Sequence, residues 1–192
     1  FWAMHWNGGT KMAEPILKVR DLAVGYPTPA GLLQPVKAVS FDIAAREVVG
    51  LVGDAGSGKS TTALALLGLA RAPGKIMGGT VRSEGRDLLT LSDDEIRAIR
   101  GRDIGIIVQN PRAALNPMLK IGRQIGNAYE AHNQGSTAEV RAQAIEMLRM
   151  VGINDPERRV ESFAHELSGG MAQRALIAMA LSSRPKLLIA DE

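Results

Sequence analysis

Gly53 to Ser60 has the residue types and the spacing of a phosphate-binding loop. The stretch "GDAGSGKS" satisfies the pattern G-x-x-x-x-G-K-[ST], with an apolar run before it and a run of helical composition after it. The glycines let the backbone wrap so that several N–H groups point inward, and the start of a helix adds partial positive charge. Lys59 would bridge the outer phosphates of a nucleotide, and the Ser60 hydroxyl would ligate Mg²⁺. We call Gly53–Ser60 the P-loop.

A second candidate group is the pair of acids in "KLLIADE". A buried strand that ends at Asp191 places a carboxylate where P-loop folds hold Mg²⁺, and Glu192 beside it would polarise an attacking water. An apolar strand that ends in two acids is weak evidence alone, but it becomes strong when the same chain carries a P-loop.

The third candidate is the tetrapeptide "LSGG", Leu167 to Gly170, which we call the signature loop. Ser168 can cap the helix that is expected to follow it, and the start of that helix is a second place where an anion is stabilised.

The elements that must position these groups are indicated by hydrophobic periodicity. "ILKVRDLAVGY" and "KAVSFDI" alternate and predict antiparallel strands, whereas "EVVGLVG" is apolar on both faces and predicts a parallel strand covered on both sides. Thr61 to Leu69 has helical composition. In "LSDDEIRAIRG", Ser92 and Glu95 form a predicted capping box with Gly101 beyond the last turn.

Helices are predicted over most of the segment from Asn116 to Val160. Apolar residues recur four apart there, and Asp155-Pro156 marks a further helix start: the two stripes are Ile121, Ile125, Tyr129 and Val140, Ala144, Leu148. Met171 to Ser182 is predicted to be helical as well, while "IGIIVQ" and "KLLIADE" are predicted to be buried strands.

Composition excludes several classes of protein. The net charge of +3 is spread among acids, which argues against a nucleic-acid partner, and the chain has no cysteine for disulfides or thiolate metal sites. His5, His132 and His165 lack the spacing of a metal site. No run of residues is long and apolar enough to cross a membrane. Residues 1–15 are expected to be a disordered extension.

The order of these motifs resembles the nucleotide-binding domain of ATP-binding cassette (ABC) transporters. The P-loop, a strand ending at Gln109, "ELSGGMAQR" and "LLIADE" follow one another between about Ile16 and Glu192. "IGIIVQNPRAALNPMLKIGRQI" and "HELSGGMAQR" narrow the resemblance to the ATPases of oligopeptide, dipeptide and nickel importers. It implies an α/β fold: a P-loop NTPase core with an N-terminal antiparallel β subdomain and an ABC-type α-helical insert. That domain would span residues 16–192, and the helical insert about residues 112–168.

The resemblance also implies a composite site for ATP and Mg²⁺. Tyr26 would stack on the adenine, residues 110–119 would line the groove for the permease's coupling helix, and the signature loop would contact the γ-phosphate held by a second subunit. The implied nucleotide-binding residues are Tyr26, Gly53, Asp54, Ala55, Gly56, Ser57, Gly58, Lys59, Ser60, Thr61, Gln109, Ser168, Gly169 and Gly170. The implied catalytic residues are Lys59, Gln109 and Glu192, and the implied metal ligands are Ser60, Gln109 and Asp191.

Three residues depart from the family's usual pattern. Arg46 stands where a glycine usually precedes the glutamate, so an altered turn is expected there. Met171 replaces the glutamine of the commonest signature, and Asp54 replaces a frequent glutamate.

The function implied is that of an ATPase subunit of an ABC importer for peptides or a related small solute. It would lie peripherally on the cytoplasmic side of the inner membrane, with permease subunits, a second ATPase subunit and, indirectly, a solute-binding protein as partners. Family members continue beyond the Asp-Glu pair with a strand between the P-loop strand and the Asp191 strand. The 192 residues alone are therefore expected to be an inactive fragment. Two alternatives stay open: a truncated nucleotide-binding fragment without activity, and an ABC ATPase of DNA repair or translation.

Overall fold

The computed structural model describes residues 2–6, 15–70 and 72–191. Contacts within the chain divide it into two units, residues 1–97 and residues 98–192. Each unit has its own elements and buried residues, and each contains some of the predicted site residues.

The first unit is mainly an antiparallel sheet. Its strands are β1 (Trp2–Trp6), β2 (Pro15–Thr28), β3 (Gly31–Ala44), β4 (Val48–Val52), β5 (Lys75–Ser83) and β6 (Arg86–Asp87). Its helices are α1 (Lys59–Ala65), the short 3₁₀ turn Leu88–Thr90 and α2 (Asp93–Ile99), which crosses into the second unit.

The long hairpin of β2 and β3 confirms the predicted antiparallel strands. The order of the main sheet is β3-β2-β5-β6, and β2 pairs antiparallel with both of its neighbours. Alternate residues of β2 point into the core, so that Leu17, Val19, Leu22 and Val24 are fully buried. The helix that follows the P-loop, α1, lies close to β2 and β3.

The strand before the P-loop differs from its prediction. β4 pairs antiparallel with β1, and Val48 and Val52 are 69% and 51% exposed. The prediction of a parallel strand covered on both faces is therefore wrong for the described residues. An apolar run identifies a strand, but it carries no information about which segment supplies the neighbouring row of backbone hydrogen bonds.

The predicted disordered extension also differs from the structure. Trp2–Trp6 forms β1, and β2 begins at Pro15. Aromatic residues favour strands, and the backbone groups of β4 gain hydrogen-bond partners when β1 pairs with them. Residues 7–14 lie outside the described part of the chain.

Two local features that were noted in the sequence, the capping box at Ser92 and the turn at Arg46, are visible in the structure. The Ser92 side chain and the Glu95 carboxylate form the predicted capping box at the start of α2, and Gly101 follows the helix with φ of 83°. The turn before β4 places Arg46 at φ of 63°, a conformation that favours glycine. Arg46 thus occupies a backbone conformation that glycine would adopt at lower cost.

The helix after the P-loop is shorter than predicted. α1 ends at Ala65 rather than at Leu69, and the chain turns through Leu66 and Leu67 to Gly68, whose φ is 64°. Leu66 and Leu67 are almost fully buried in this turn. The helix was predicted to end at Leu69 because Leu66 and Leu67 are apolar, and composition alone does not distinguish a buried turn from a buried helix.

The second unit holds a short parallel sheet and most of the helices. Its strands are β7 (Ile104–Ile107) and β8 (Leu187–Ala190), and its helices are α3 (Pro111–Ala114), α4 (Ile121–Glu130), α5 (Thr137–Met150), α6 (Pro156–Arg159), the 3₁₀ turn Ala164–Glu166 and α7 (Gly169–Leu181).

The two strands predicted from apolar sequence are present and pair in parallel, with Ile104 opposite Leu187 and Ile107 opposite Ala190. β7 is largely buried as predicted, but the prediction that β8 is buried is wrong, because Leu188 and Ala190 are exposed. α7 lies close to β7, since a side chain at Gly105 would meet the Ala180 carbonyl oxygen at 2.9 Å. One apolar cluster joins the helices of this unit; its members include Leu115, Ile121, Ile125, Ala144, Leu148, Val160, Leu167 and Ala175.

Candidate functional site

The P-loop connects β4 to α1 and contains two glycines in the left-handed region. Gly56 has φ of 79° and Gly58 has φ of 96°. A Cβ atom at Gly58 would lie 2.7 Å from the carbonyl oxygen of Pro35 in β3. The neighbouring strand therefore excludes any side chain at Gly58, and the loop can keep this path only with glycine there.

The Lys59 side chain folds back over the P-loop. Its ammonium group donates hydrogen bonds to the carbonyl oxygens of Gly53, at 2.6 Å, and Asp54, at 2.9 Å. These contacts hold the positive charge of Lys59 next to the backbone of Gly53 and Asp54 at the start of the P-loop. Carbonyl oxygens satisfy an ammonium without neutralising it, so the charge stays available to an anion.

A cavity of about 420 Å³ adjoins the P-loop. It is lined by Ser57 and by residues of β3, including Pro35, Lys37 and Ser40. The Ser57 hydroxyl is buried and has no hydrogen-bond partner among the described residues. A buried hydroxyl without a partner is unfavourable, and a phosphate oxygen would satisfy it. The loop thus fits the phosphates of a nucleotide.

The other predicted residues of the first unit flank this loop. Ser60 and Thr61 lie in the first turn of α1 and are half-buried. Thr62 is fully buried, and its hydroxyl donates to the Gly58 carbonyl oxygen at 2.9 Å, which fastens the loop to the helix. Tyr26 is half-buried near the end of β2, opposite Leu33 of β3.

In the second unit, the ends of the parallel strands bring two predicted residues to one edge. The Asp191 N–H donates to the Ile107 carbonyl oxygen at 2.9 Å, and Gln109 follows Ile107 by two residues. Gln109 is exposed and Asp191 is half-buried. Their side chains supply oxygen atoms, which Mg²⁺ prefers as ligands. Glu192, the predicted catalytic acid, lies outside the described residues.

The signature loop leads directly into α7. Ser168 is the N-cap residue, and its hydroxyl accepts a hydrogen bond from the Met171 N–H at 3.3 Å, as predicted. Ser168, Gly169 and Gly170 are exposed, and a Cβ atom at either glycine would meet nothing within 4 Å. The loop thus faces open space within its unit.

A second cavity, of about 300 Å³, lies beside the signature loop. Its lining includes Ser168 and Gly170 together with Arg159 and Arg174. Arg174 donates to the Gly152 carbonyl oxygen at 2.6 Å, and Nε of Arg159 is buried without a partner among the described residues. Neither arginine was among the predicted site residues, although Arg174 stands within "ELSGGMAQR".

The structure therefore groups the predicted residues within each unit. Tyr26 and the P-loop residues belong to the first unit, while Gln109, Asp191 and the signature loop belong to the second. Pro35, whose carbonyl excludes a side chain at Gly58, was not predicted, because nothing in the local sequence of β3 indicates which glycine it approaches. No helix of the described residues has both the length and the apolarity to cross a membrane.

Comparison with known families gives a match over most of the chain. A sequence profile described as "ABC transporter" matches residues 36–192. The chain is 48% identical over 93% of its length to the peptidoglycan transport ATP-binding protein YejF of Agrobacterium fabrum, of which it covers 33%. It is 44% identical over 92% of its length to the oligopeptide transport ATP-binding protein OppD of Bacillus subtilis, of which it covers 50%. The chain thus spans a third to a half of these relatives.

A solved structure gives the same fold. The dimeric ATP-binding cassette MJ0796, in a post-hydrolysis state bound to ADP and Pi, matches 92% of this chain and 73% of its own with a TM-score of 0.79 and 28% identity. The predicted α/β fold of an ABC nucleotide-binding domain is thereby confirmed, and such a domain binds nucleotide.

Proposed function

The chain belongs to the ABC transporter family, and from this membership we propose that it acts as the ATP-hydrolysing subunit of an importer for peptides or a related small solute. The observation that carries the proposal is the P-loop, in which Gly58 has no room for a side chain and Lys59 holds its charge across the loop. The names of the relatives, a peptidoglycan and an oligopeptide transport ATP-binding protein, support the solute class.

In this proposal the P-loop holds the phosphates of ATP. The backbone of Gly56 to Gly58 and the Ser57 hydroxyl contact the phosphate chain, and Lys59 supplies its positive charge to the outer phosphates. Ser60, Gln109 and Asp191 would hold Mg²⁺, whose charge offsets that of the phosphates when it is bound.

The remaining site residues contact the adenine ring, the attacking water or the nucleotide of a second ATPase subunit. Tyr26 supports the adenine, and Glu192 orients the attacking water. Ser168, Gly169 and Gly170 contact the nucleotide held by a second ATPase subunit, which their exposure in open space favours. Permease subunits, and through them a solute-binding protein, complete the assembly, so the protein lies on the cytoplasmic side of the membrane.

The test is ATP hydrolysis and permease association, measured on the protein as it is expressed. We expect magnesium-dependent hydrolysis that Lys59→Ala abolishes, and we expect the wild-type protein to co-purify with membrane-spanning permease subunits. Hydrolysis without any permease partner would contradict the importer and favour a non-transport ABC ATPase. Absence of nucleotide binding would contradict the proposal as a whole.

A further inference from the structure

A lysine outside the P-loop lines the cavity beside that loop. Lys37 of β3 and Ser57 of the P-loop both belong to the wall of the 420 Å³ cavity, and no other charged residue of the described chain lines it. The Lys37 ammonium group has no hydrogen-bond or ion-pair partner among the described residues. The cavity thus combines an uncompensated positive charge with the buried, unpartnered hydroxyl of Ser57. Both features favour an anion with oxygen atoms.

β3 has an extra residue where it passes this cavity. Between two successive cross-strand pairs, Leu22 with Val39 and Val24 with Val36, β2 has one residue and β3 has two. This is a β-bulge. Val36 and Phe41 are both buried, although residues five apart in a regular strand point to opposite faces. The bulge is therefore required to keep the apolar residues of β3 in the core.

The two residues of the bulge are Lys37 and Ala38, and both line the cavity. Ala38 has φ of 49°, a left-handed conformation that costs free energy for alanine. Bulges at sheet edges redirect side chains beside binding sites, and strained residues concentrate at such sites. β3 is at the edge of its sheet, next to the P-loop, as the contact of its Pro35 carbonyl oxygen with Gly58 shows. The bulge thus places Lys37 on the side of β3 that borders the nucleotide site.

We propose that Lys37 is a further nucleotide-binding residue, whose ammonium group donates to the inner phosphate of ATP, the phosphate attached to the ribose. This inference rests on the proposed function, in which the P-loop holds ATP and Lys59 serves the outer phosphates. It adds a second cation, supplied by a strand that contains no part of the P-loop motif.

The positions of the two lysines assign them to different phosphates. Lys59 is held by the carbonyl oxygens of Gly53 and Asp54 at the start of the P-loop. Lys37 shares its cavity with Ser57, and its strand belongs to the β2–β3 hairpin that carries Tyr26, the proposed support of the adenine. The phosphate chain runs from the adenosine to the outer phosphates. The cation on the hairpin side therefore meets the phosphate nearest the ribose.

The first measurement is nucleotide affinity, from titration with a fluorescent ATP analogue and its displacement by ATP, ADP and AMP. Lys37→Met keeps the length of the side chain but removes its charge, and we expect it to weaken all three nucleotides by about tenfold, because all three contain the inner phosphate. Lys37→Arg should bind within about threefold of the wild type. Lys75→Met is the matched control: it removes the same charge from an exposed position of β5 that does not line the cavity, and it should bind as the wild type does.

The second measurement tests whether Lys37 and Ser57 contact the same phosphate. Ser57→Ala and Lys37→Met are measured singly and together. We expect the double variant to lose clearly less ATP affinity than the product of the two single losses, because groups that share one ligand atom group are coupled. Ser57→Ala combined with Lys75→Met should show no such coupling. Thermal denaturation without nucleotide should give every variant a Tm close to that of the wild type, since Lys37 is exposed.

The outcomes separate this inference from the proposed function. Equal affinities of Lys37→Met and Lys75→Met, in a wild-type protein that binds ATP, would overturn the role of Lys37. Weaker binding of ATP with unchanged binding of AMP would overturn the assignment to the inner phosphate, and independent losses in the double variant would overturn the shared contact with Ser57. Absence of nucleotide binding by the wild-type protein would overturn the proposed function, and with it the ligand named here.

Discussion

Gly58 of the P-loop lies against its own chain, whereas both glycines of the signature loop face open space within their unit. Gly58 would collide with Pro35 if it had a side chain, but Gly169 and Gly170 would meet no atom within 4 Å. Lys59 is held by two carbonyl oxygens of its own loop, and Ser168 by contrast uses its hydroxyl to cap α7. The first loop is held by contacts within its own unit, while the second leaves its two glycines uncovered within its unit.

The largest effect should come from the charge that the P-loop holds. Lys59→Ala removes the only side chain of the loop that brings positive charge, and we expect ATP affinity to fall by about 100-fold, since charge-assisted hydrogen bonds are the stronger ones. Titration with a fluorescent ATP analogue measures this. Lys75→Ala, at an exposed position of β5, is the control and should bind as the wild type does. Equal affinity of both variants would contradict the account of the P-loop.

A matched pair of glycine substitutions tests the comparison itself. Gly58→Ala places a Cβ atom 2.7 Å from the Pro35 carbonyl at positive φ, so the free energy of unfolding should fall by about 1–3 kcal/mol. Gly170→Ala meets open space, so its stability should stay within about 0.5 kcal/mol of the wild type.

Chemical denaturation of both glycine variants measures these changes. If Gly170→Ala destabilised the protein as much as Gly58→Ala, the contrast between a closely packed Gly58 and an uncovered Gly170 would be contradicted. We also expect Gly170→Ala to weaken ATP-dependent dimerisation, because its methyl group lies where a second subunit is proposed to bind.

Alanine substitutions of two helix-capping serines separate the effect of a cap on stability from its effect on ATP hydrolysis. Ser168 caps α7 and Ser136 caps α5, where it also forms a capping box with Glu139. Replacement of either serine by alanine should lower the free energy of unfolding by about 1 kcal/mol. Only Ser168→Ala should also reduce ATP hydrolysis, since Ser136 is not part of the proposed site. An equal loss of hydrolysis in both variants would mean that Ser168 acts through stability alone.

The smallest predicted effect concerns pH and the ion pairs of Glu161 with Lys120 and Arg141. Hydrogen bonds from Lys120 and then Arg141 lower the pKa of Glu161 from its ordinary value of 4.5. A carboxylate with a lowered pKa stabilises the folded state above its unfolded pKa, and this contribution disappears as the pH falls below about 4.5. Glu161→Gln should therefore flatten the dependence of Tm on pH between about 5 and 3. If Tm of Glu161→Gln depended on pH as steeply as that of the wild type, the stabilising role of the Glu161 ion pairs would be contradicted.

The motifs of the site were predictable because their spacing is local. The P-loop, the Ser168 cap and the Ser92 capping box each need residues within one loop and one helical turn, so the sequence contains them completely. The existence of β7 and β8 was also predicted from their apolar composition, but their pairing was not.

Long-range partners were not predictable in the same way. The pairing of β4 with β1, the contact of Gly58 with Pro35 and the hydrogen bond from the Asn116 N–H to the buried Gln124 side chain each join residues that are separated in sequence. One signal for Gln124 was present: it stands beside Ile125 on the apolar face of α4, where a polar residue requires partners.

The central claim is that the nucleotide site is completed by a second subunit, and mixed dimers test it directly. Lys59→Ala lacks a working P-loop, and Gly170→Glu places a negative charge in the signature loop, so neither variant alone should hydrolyse ATP. Mixing equal amounts of the two should restore about a quarter of the wild-type rate, because half of the dimers then hold one complete site. No recovery on mixing, with both variants folded and able to dimerise, would contradict a composite site.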